Sequence, residues 1–203
     1  MADFDDLLLN ELREHVYGLG LISLRYNMFE SALKFILSNY AEPAVVDLLF
    51  EKSSNEQRTG AIRYLASVKE KNPQIRDHID YLLTFFSVCA ENRNILMHSR
   101  QSWNYQPEEG ALALEKRLKA GGKNIYQLDL PILKRVANDI VAGVVYLVDV
   151  DQLIREPPPL RGLLDLGPAH PLPQKPPLPD KLNPHQPVVN LQAGSSKPPL
   201  AVK

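Results

Sequence analysis

The chain has 203 residues and a formal net charge of −1, and 13 of its 17 prolines fall between Pro157 and Pro199. That break in composition leaves a body of about 155 residues, the size of one ordinary domain, able to bury about 70% of its unfolded surface without a disulfide or metal staple. The five Lys/Arg and two Asp beyond Glu156 give the tail +3 and leave −4 on the body, which argues against a stable nucleic-acid binder and leaves room for an enzyme that meets RNA briefly.

A single cysteine, Cys89, has no internal partner, which suits a reducing compartment. The start, Met1-Ala2-Asp3-Phe4-Asp5-Asp6, is acidic where a secretory signal is basic. The longest apolar run, Ile140 to Val148, is far shorter than the roughly 20 residues of a membrane span. A soluble cytoplasmic protein without membrane contact is expected.

In chain order, Leu8, Leu12, Val16 and Leu19 recur at helical spacing. Gly18 and Gly20 then suggest a kink or break before a second helical run, Ile22, Tyr26, Phe29, Leu33, Ile36 and Leu37. Glu42-Pro43 opens a short helix with Val45, Val46, Leu48, Leu49 and Phe50. Ser53 and Glu56 have capping-box spacing before a helix that ends near Asn72-Pro73. Pro73 opens a long helix whose stripe is Ile75, Ile79, Leu82, Leu83, Phe86 and Cys89, running to His98. Residues 99–110 read as a loop carrying Trp103 and Tyr105. Alternation over Leu112 to Leu118, Gly121-Gly122 and the run Asn124 to Leu128 predict a β-hairpin. Asp129 can cap a last helix with Pro131 in its first turn. Its apolar residues Leu133 to Val148 cover much of the circumference, which predicts a central helix or one at a subunit interface. The tail over 156–203 is rich in proline and poor in aromatics, so disorder with polyproline II character is expected. Pro176-Pro177-Leu178-Pro179-Asp180-Lys181 has the Pro-x-x-Pro-x-Lys form of a polyproline ligand.

Chemistry concentrates in Arg93-Asn94-Ile95-Leu96-Met97-His98. Arg, Asn directly after it and His five positions on from Arg arise by chance in about 1–2% of chains of this composition. Asn94 and His98 are i, i+4 neighbours, so a hydrogen bond between them would fix the imidazole tautomer. Arg93 leaves the helix about 140° from His98, so convergence needs a bent helix end, a long reach by Arg93 or a second subunit. These residue types suit RNA cleavage by the neighbouring 2′-OH, with His98 moving a proton near neutral pH and Arg93 neutralising the phosphate. No cofactor or metal is expected, since the histidines lack metal-ligand spacing with Cys or carboxylates. Lys116, Arg117, Lys119 and Lys123 on the hairpin are candidates to guide an RNA backbone, and Trp103 to stack on a base.

On these residues the chain resembles the HEPN superfamily (higher eukaryote and prokaryote nucleotide-binding domains). Tyr26-Asn27-Met28-Phe29-Glu30 and Arg93-Asn94, His98-Ser99 and Trp103 resemble the aromatic-x-x-x-Glu and Arg-Asn, His-Gly, Trp segments of small bacterial HEPN-like proteins. Ser99 stands where glycine is common. The resemblance spans about residues 18–105. It implies a mainly α-helical bundle over 1–155, a homodimer with facing motifs, and a metal-independent endoribonuclease of toxin or phage-defence type controlled by an antitoxin or regulatory protein. Carried over residue by residue, Arg93 and His98 are the catalytic pair, Asn94 supports them, and Glu30 orients one of them. Two further readings stay open: a catalytically silent HEPN-like interaction module, and a helical adaptor that uses its proline-rich tail. In the structural alternative, Arg93 pairs with Glu30 or Glu91 and His98 meets the last carbonyls of its helix. Trp103 would then cover the bundle and Cys89 would be core.

Overall fold

The computed structural model describes residues 4–101, 111–118, 123–155 and 172–185, with side chains from Arg13 onward. The fold is mainly helical with one small antiparallel sheet. Among the described residues five helices run in the order α1 (Phe4–Ser38), α2 (Pro43–Lys52), α3 (Asn55–Lys69), α4 (Pro73–His98) and, after the sheet, α5 (Leu130–Arg155). The sheet consists of β1 (Arg100–Gln101), β2 (Leu112–Arg117) and β3 (Lys123–Leu128), with β2 in the middle.

Local chemistry sets most of these boundaries. Pro43 and Pro73 occupy first turns, where the missing N–H costs nothing. Asn72 accepts from the Gln74 amide at 2.9 Å to open α4, and Asp129 accepts from the Ile132 amide at 2.7 Å to open α5. The α3 capping box is Ser54 with Gln57, not Ser53 with Glu56: Ser54 Oγ accepts from Gln57 N, and Gln57 Oε1 accepts from Ser54 N. The expected hairpin forms in the register Leu114 opposite Tyr126 and Lys116 opposite Asn124. Within the expected loop over 99–110, Arg100 and Gln101 add a short third strand to β2.

The expected break at Gly18 and Gly20 does not occur, and α1 is continuous through both. An isolated helical glycine costs only about 1 kcal/mol relative to Ala. At Gly18 the missing side chain lets Leu133 of α5 approach, so that a Cβ there would lie 3.3 Å from Leu133 Cδ1.

The long helices α1, α4 and α5 form the core. Residue numbers rise together where α1 meets α5: Gly18 with Leu133, Arg25 Nη1 with the Ala137 carbonyl at 3.2 Å, and Asn39 with Asp151 at 2.8 Å. The two helices are therefore parallel, and α4 runs antiparallel to both, with His78 against Tyr146 and Phe85 near Gly143. Phe29, Phe85 and Phe86 pack edge to face at the centre, an arrangement that favours aromatic quadrupoles. Closest approach falls at Gly143, where a Cβ would meet Phe29 Cε1 at 2.4 Å and Phe85 Cε1 at 2.7 Å. Cys89 is buried here. Burial, with a contribution from Asp139, pushes its thiol up to about 12, as befits a core residue rather than a nucleophile.

The last helix is central on one side only. Ile140, Leu147 and Val150 are fully buried, whereas Val141, Val145 and Val148 are exposed. On α1, the helix packed against it, Leu24, Met28 and Phe35 are also exposed.

The expected disorder of 156–203 does not extend to 172–185. These residues lie extended across α4 and α5 and reach β3, where His185 N donates to the Ile125 carbonyl at 2.6 Å. Composition alone misleads here, because the segment builds no core of its own and instead adds to a groove that the body already forms. Its prolines also lower the entropy lost on ordering. No helix among the described residues is long and apolar enough to cross a membrane.

Candidate functional site

The last turn of α4 carries the motif, and α1 provides its floor. Tyr26 is buried, stacks on Phe86 at 5.5 Å between ring centroids, and accepts a 2.5 Å hydrogen bond from Asn55 Nδ2. The Arg93 guanidinium lies over the outer face of the Tyr26 ring, 5.3 Å from its centroid, a cation–π geometry. Burial, then the nearby Glu30 carboxylate, raises the Tyr26 phenol well above its ordinary value. The hydroxyl therefore stays neutral, serving as a structural group and not a base.

Arg93, Asn94 and His98 converge within one chain. Arg93 Nη1 donates to Asn94 Oδ1 at 3.1 Å and approaches His98 Nε2 at 3.4 Å. Of the three routes to convergence, the long reach of arginine is the one used. His98 thus meets Arg93 and not Asn94, whose carbonyl oxygen is already engaged. With Nε2 as the acceptor, the neutral imidazole carries its proton on Nδ1. The 3.4 Å separation is long for a hydrogen bond, so an anion can displace it at little cost. His98 is exposed, whereas Arg93 and Asn94 are half-buried.

Both carboxylates expected to neutralise Arg93 are engaged elsewhere. Glu30 pairs with Arg58, and Glu91 pairs with Lys181 at 2.7 Å. Among the described residues no carboxylate lies within ion-pair distance of Arg93, and its Nε is buried without a hydrogen-bond partner. The guanidinium is a cation with unused donor capacity beside an exposed imidazole. Glu30 sits one turn beyond Tyr26 and connects to the motif only indirectly, through Arg58, Asn55 and Tyr26.

Asn94 also borders a cleft of 870 Å³ between α3 and α4, with Asn55, Thr59, Arg63, Glu91 and Lys116 among its lining. Lys116 reaches the cleft from β2. Arg117 is exposed at the far end of the strand. Lys123 is committed to Glu115 at 2.7 Å. Hydrogen bonds from Lys123 and then Arg100 hold the Glu115 carboxyl below its usual range. The cleft is of mixed sign, with Arg63 and Lys116 facing Glu56 and Glu91. Trp103 and Lys119 lie outside the described residues. No group of three or more His, Cys, Asp or Glu among those described has a geometry that could hold a metal ion.

Of the buried polar residues that the sequence reading did not single out, Asn92 lies nearest the motif. Asn92 immediately precedes Arg93 and is only 1% exposed. The signal was present: Phe85, Cys89, Asn92 and Leu96 follow helical core spacing, so an amide there has to find partners inside the protein. In comparisons with known proteins, no family model matches the chain, and no curated protein or solved structure shows significant similarity to it.

Proposed function

We propose that this chain is a metal-independent endoribonuclease of the HEPN-like kind that its motif resembles. The observation that carries the reading is the uncompensated Arg93 guanidinium beside the exposed His98. A phosphodiester entering between them replaces the long Arg93–His98 contact with a charge-assisted one. His98 Nε2 then takes the proton of the 2′-OH, the 2′-oxygen attacks phosphorus, and the bond to the 5′-oxygen breaks. The products are a 2′,3′-cyclic phosphate and a 5′-hydroxyl. Arg93 neutralises charge on the non-bridging oxygens as it builds, and Asn94 holds the guanidinium in place. Solvent returns the proton to the leaving oxygen. Lys116 offers a cation to a strand lying in the cleft, and Arg63, paired with Asp80 at 3.0 Å, can add a second by leaving that partner.

Association of two copies belongs to the same reading. The exposed apolar residues Leu24, Met28 and Phe35 of α1 and Val141, Val145 and Val148 of α5 are compatible with contact to a second copy. Met28 is about 200° around α1 from Tyr26, so a dimer built there holds its two motifs apart instead of face to face. The cytoplasm and control by an antitoxin or regulatory protein complete the proposal. A silent interaction module is favoured by one observation, the mixed charge of the cleft.

The test is incubation of purified protein with mixed RNA in EDTA, beside His98→Ala and Arg93→Ala. Cyclic phosphate ends that vanish in both folded variants support the enzyme. Intact RNA after incubation with folded wild type favours the interaction module.

A further inference from the structure

Residues 172–185 dock with a regular pattern. Pro173 and Pro176 are half-buried and Pro179 and Leu182 are buried, while Leu172, Gln174, Pro177, Leu178, Asp180, Lys181 and Asn183 are exposed; Lys175, off this period, is half-buried where it crosses the Tyr81 ring. Every third residue faces the body, which is the period of a polyproline II helix with three residues per turn. The lengths agree as well. Lys175 to Leu182 spans about 22 Å at 3.1 Å per residue, and Asp77 to Asn92 on α4 spans about 22 Å at 1.5 Å per residue.

The groove between α4 and α5 reads this segment in three ways. Tyr81 Oη donates to the Pro176 carbonyl, and the Tyr81 ring lies under Lys175. The buried Asn92 amide clamps the backbone twice: Nδ2 donates to the Asp180 carbonyl at 2.9 Å and Oδ1 accepts from the Leu182 amide at 2.8 Å. Three ion pairs set register and direction: Lys175 with Asp77, Lys181 with Glu91 and Asp180 with Arg135. The Pro-x-x-Pro-x-Lys element is thus engaged by its own domain, with Pro176, Pro179 and Lys181 all in use.

We propose that this groove is a recognition site for a lysine-flanked polyproline II segment of the pattern Pro-x-x-Pro-x-x-Pro-x-x-Leu, and that the segment of a second copy of this chain enters it in trans. Charge complementarity and period together select the chain's own sequence as occupant. Sixteen residues, 156–171, separate α5 from the docked segment. A chain of that length reaches about 50 Å when extended. The return from Arg155 toward Asp77 is far shorter, because α5 passes Tyr146 beside His78 within its last three turns. The tether therefore permits exchange between copies. This inference is independent of the nuclease reading.

A labelled peptide of residues 172–185 tests it on the full-length chain. Leu182→Asp with Pro179→Gly empties the groove in cis and leaves the groove residues unchanged. The emptied chain is expected to bind the peptide at least tenfold more tightly than wild type, whose own segment competes at roughly millimolar effective concentration. Adding Asn92→Leu to the emptied chain should remove binding. A folded emptied chain that ignores the peptide overturns the proposal. A second arm needs no core change: Asp77→Lys with Glu91→Lys should prefer a peptide carrying Lys175→Glu and Lys181→Glu over the natural one, and equal binding of both overturns the assigned register. Two differently tagged chains, one carrying Glu91→Cys and the other Lys181→Cys at a pair that meets in the docked segment, mixed and oxidised, read the exchange itself whatever other face joins the copies. Absence of a disulfide-linked heterodimer, or one undiminished when the Lys181→Cys chain also carries Leu182→Asp with Pro179→Gly, overturns exchange between copies.

Discussion

Two adjacent residues near the end of α4 face opposite circumstances. Asn92 is sealed under the docked segment with both ends of its amide satisfied. Arg93, about 100° further around the helix, is half-exposed, has no carboxylate partner among the described residues and touches His98 at 3.4 Å. The first arrangement has used its hydrogen-bonding capacity for stability, and the second has kept some in reserve. A polar group that is fully satisfied inside a protein fixes structure, whereas one that is under-satisfied at the surface is prepared for a ligand.

Substitutions on the two faces should therefore separate activity from stability. His98→Ala should lower RNA cleavage by about 10²–10⁴-fold while shifting urea-unfolding stability by less than about 0.5 kcal/mol, because the side chain is exposed. A comparable loss in both measurements would erase the distinction. Asn92→Ala should do the reverse: it strands two backbone groups and costs about 2 kcal/mol, read as a lower urea midpoint. Wild-type stability in that variant would mean that the clamp contributes little.

A pH titration sharpens the same contrast at the other end of the groove. His78 is buried with Nδ1 2.6 Å from Tyr146 Oη. Burial, then the Lys175 cation, holds its pKa below the usual 6.5. The folded state thus binds this proton less readily than the unfolded state. Stability from this group is present above about 6.5 and is lost as pH falls through the lower folded value. The melting temperature should fall between pH 7 and pH 5, and His78→Gln should flatten that part of the profile. An unchanged slope in the variant would assign the acid sensitivity to other groups. The smallest effect is expected at Glu30→Gln. Cleavage should stay within about threefold, since Glu30 engages Arg58 and not the motif, while stability drops by about 1 kcal/mol or less. A hundredfold loss of cleavage would restore Glu30 to the site.

Much of the fold was legible because it is written locally. Pro43, Pro73, Asn72 and Asp129 mark helix starts through geometry that only their neighbours need, and strand alternation with Gly121-Gly122 marks the hairpin. The unreadable parts depend on distant partners. The close packing at Gly18 needs Leu133 of α5, and the pairing of Glu30 with Arg58 depends on the approach of α3 to α1. Within the site, the motif was visible, and its convergence was left among three routes that only the side-chain geometry distinguishes. The docked segment shows the same limit. Its three-residue period stands in the sequence at Pro173, Pro176, Pro179 and Leu182, but a period has meaning only against a surface that α4 and α5 build together.

The parallel packing of the first helix against the last also bears on how the chain comes to be folded. Contacts such as Arg25 with Ala137 and Asn39 with Asp151 each close a loop of 112 residues. During synthesis at about 5–20 residues per second, α1 waits roughly 6–23 s after its completion for the whole of α5 to follow. Over that interval Gly18, Arg25 and Asn39 lack Leu133, Ala137 and Asp151, the residues of α5 that they finally meet. Nascent chains of this protein should therefore engage a holding chaperone through α1, and the core closes only once α5 has been made.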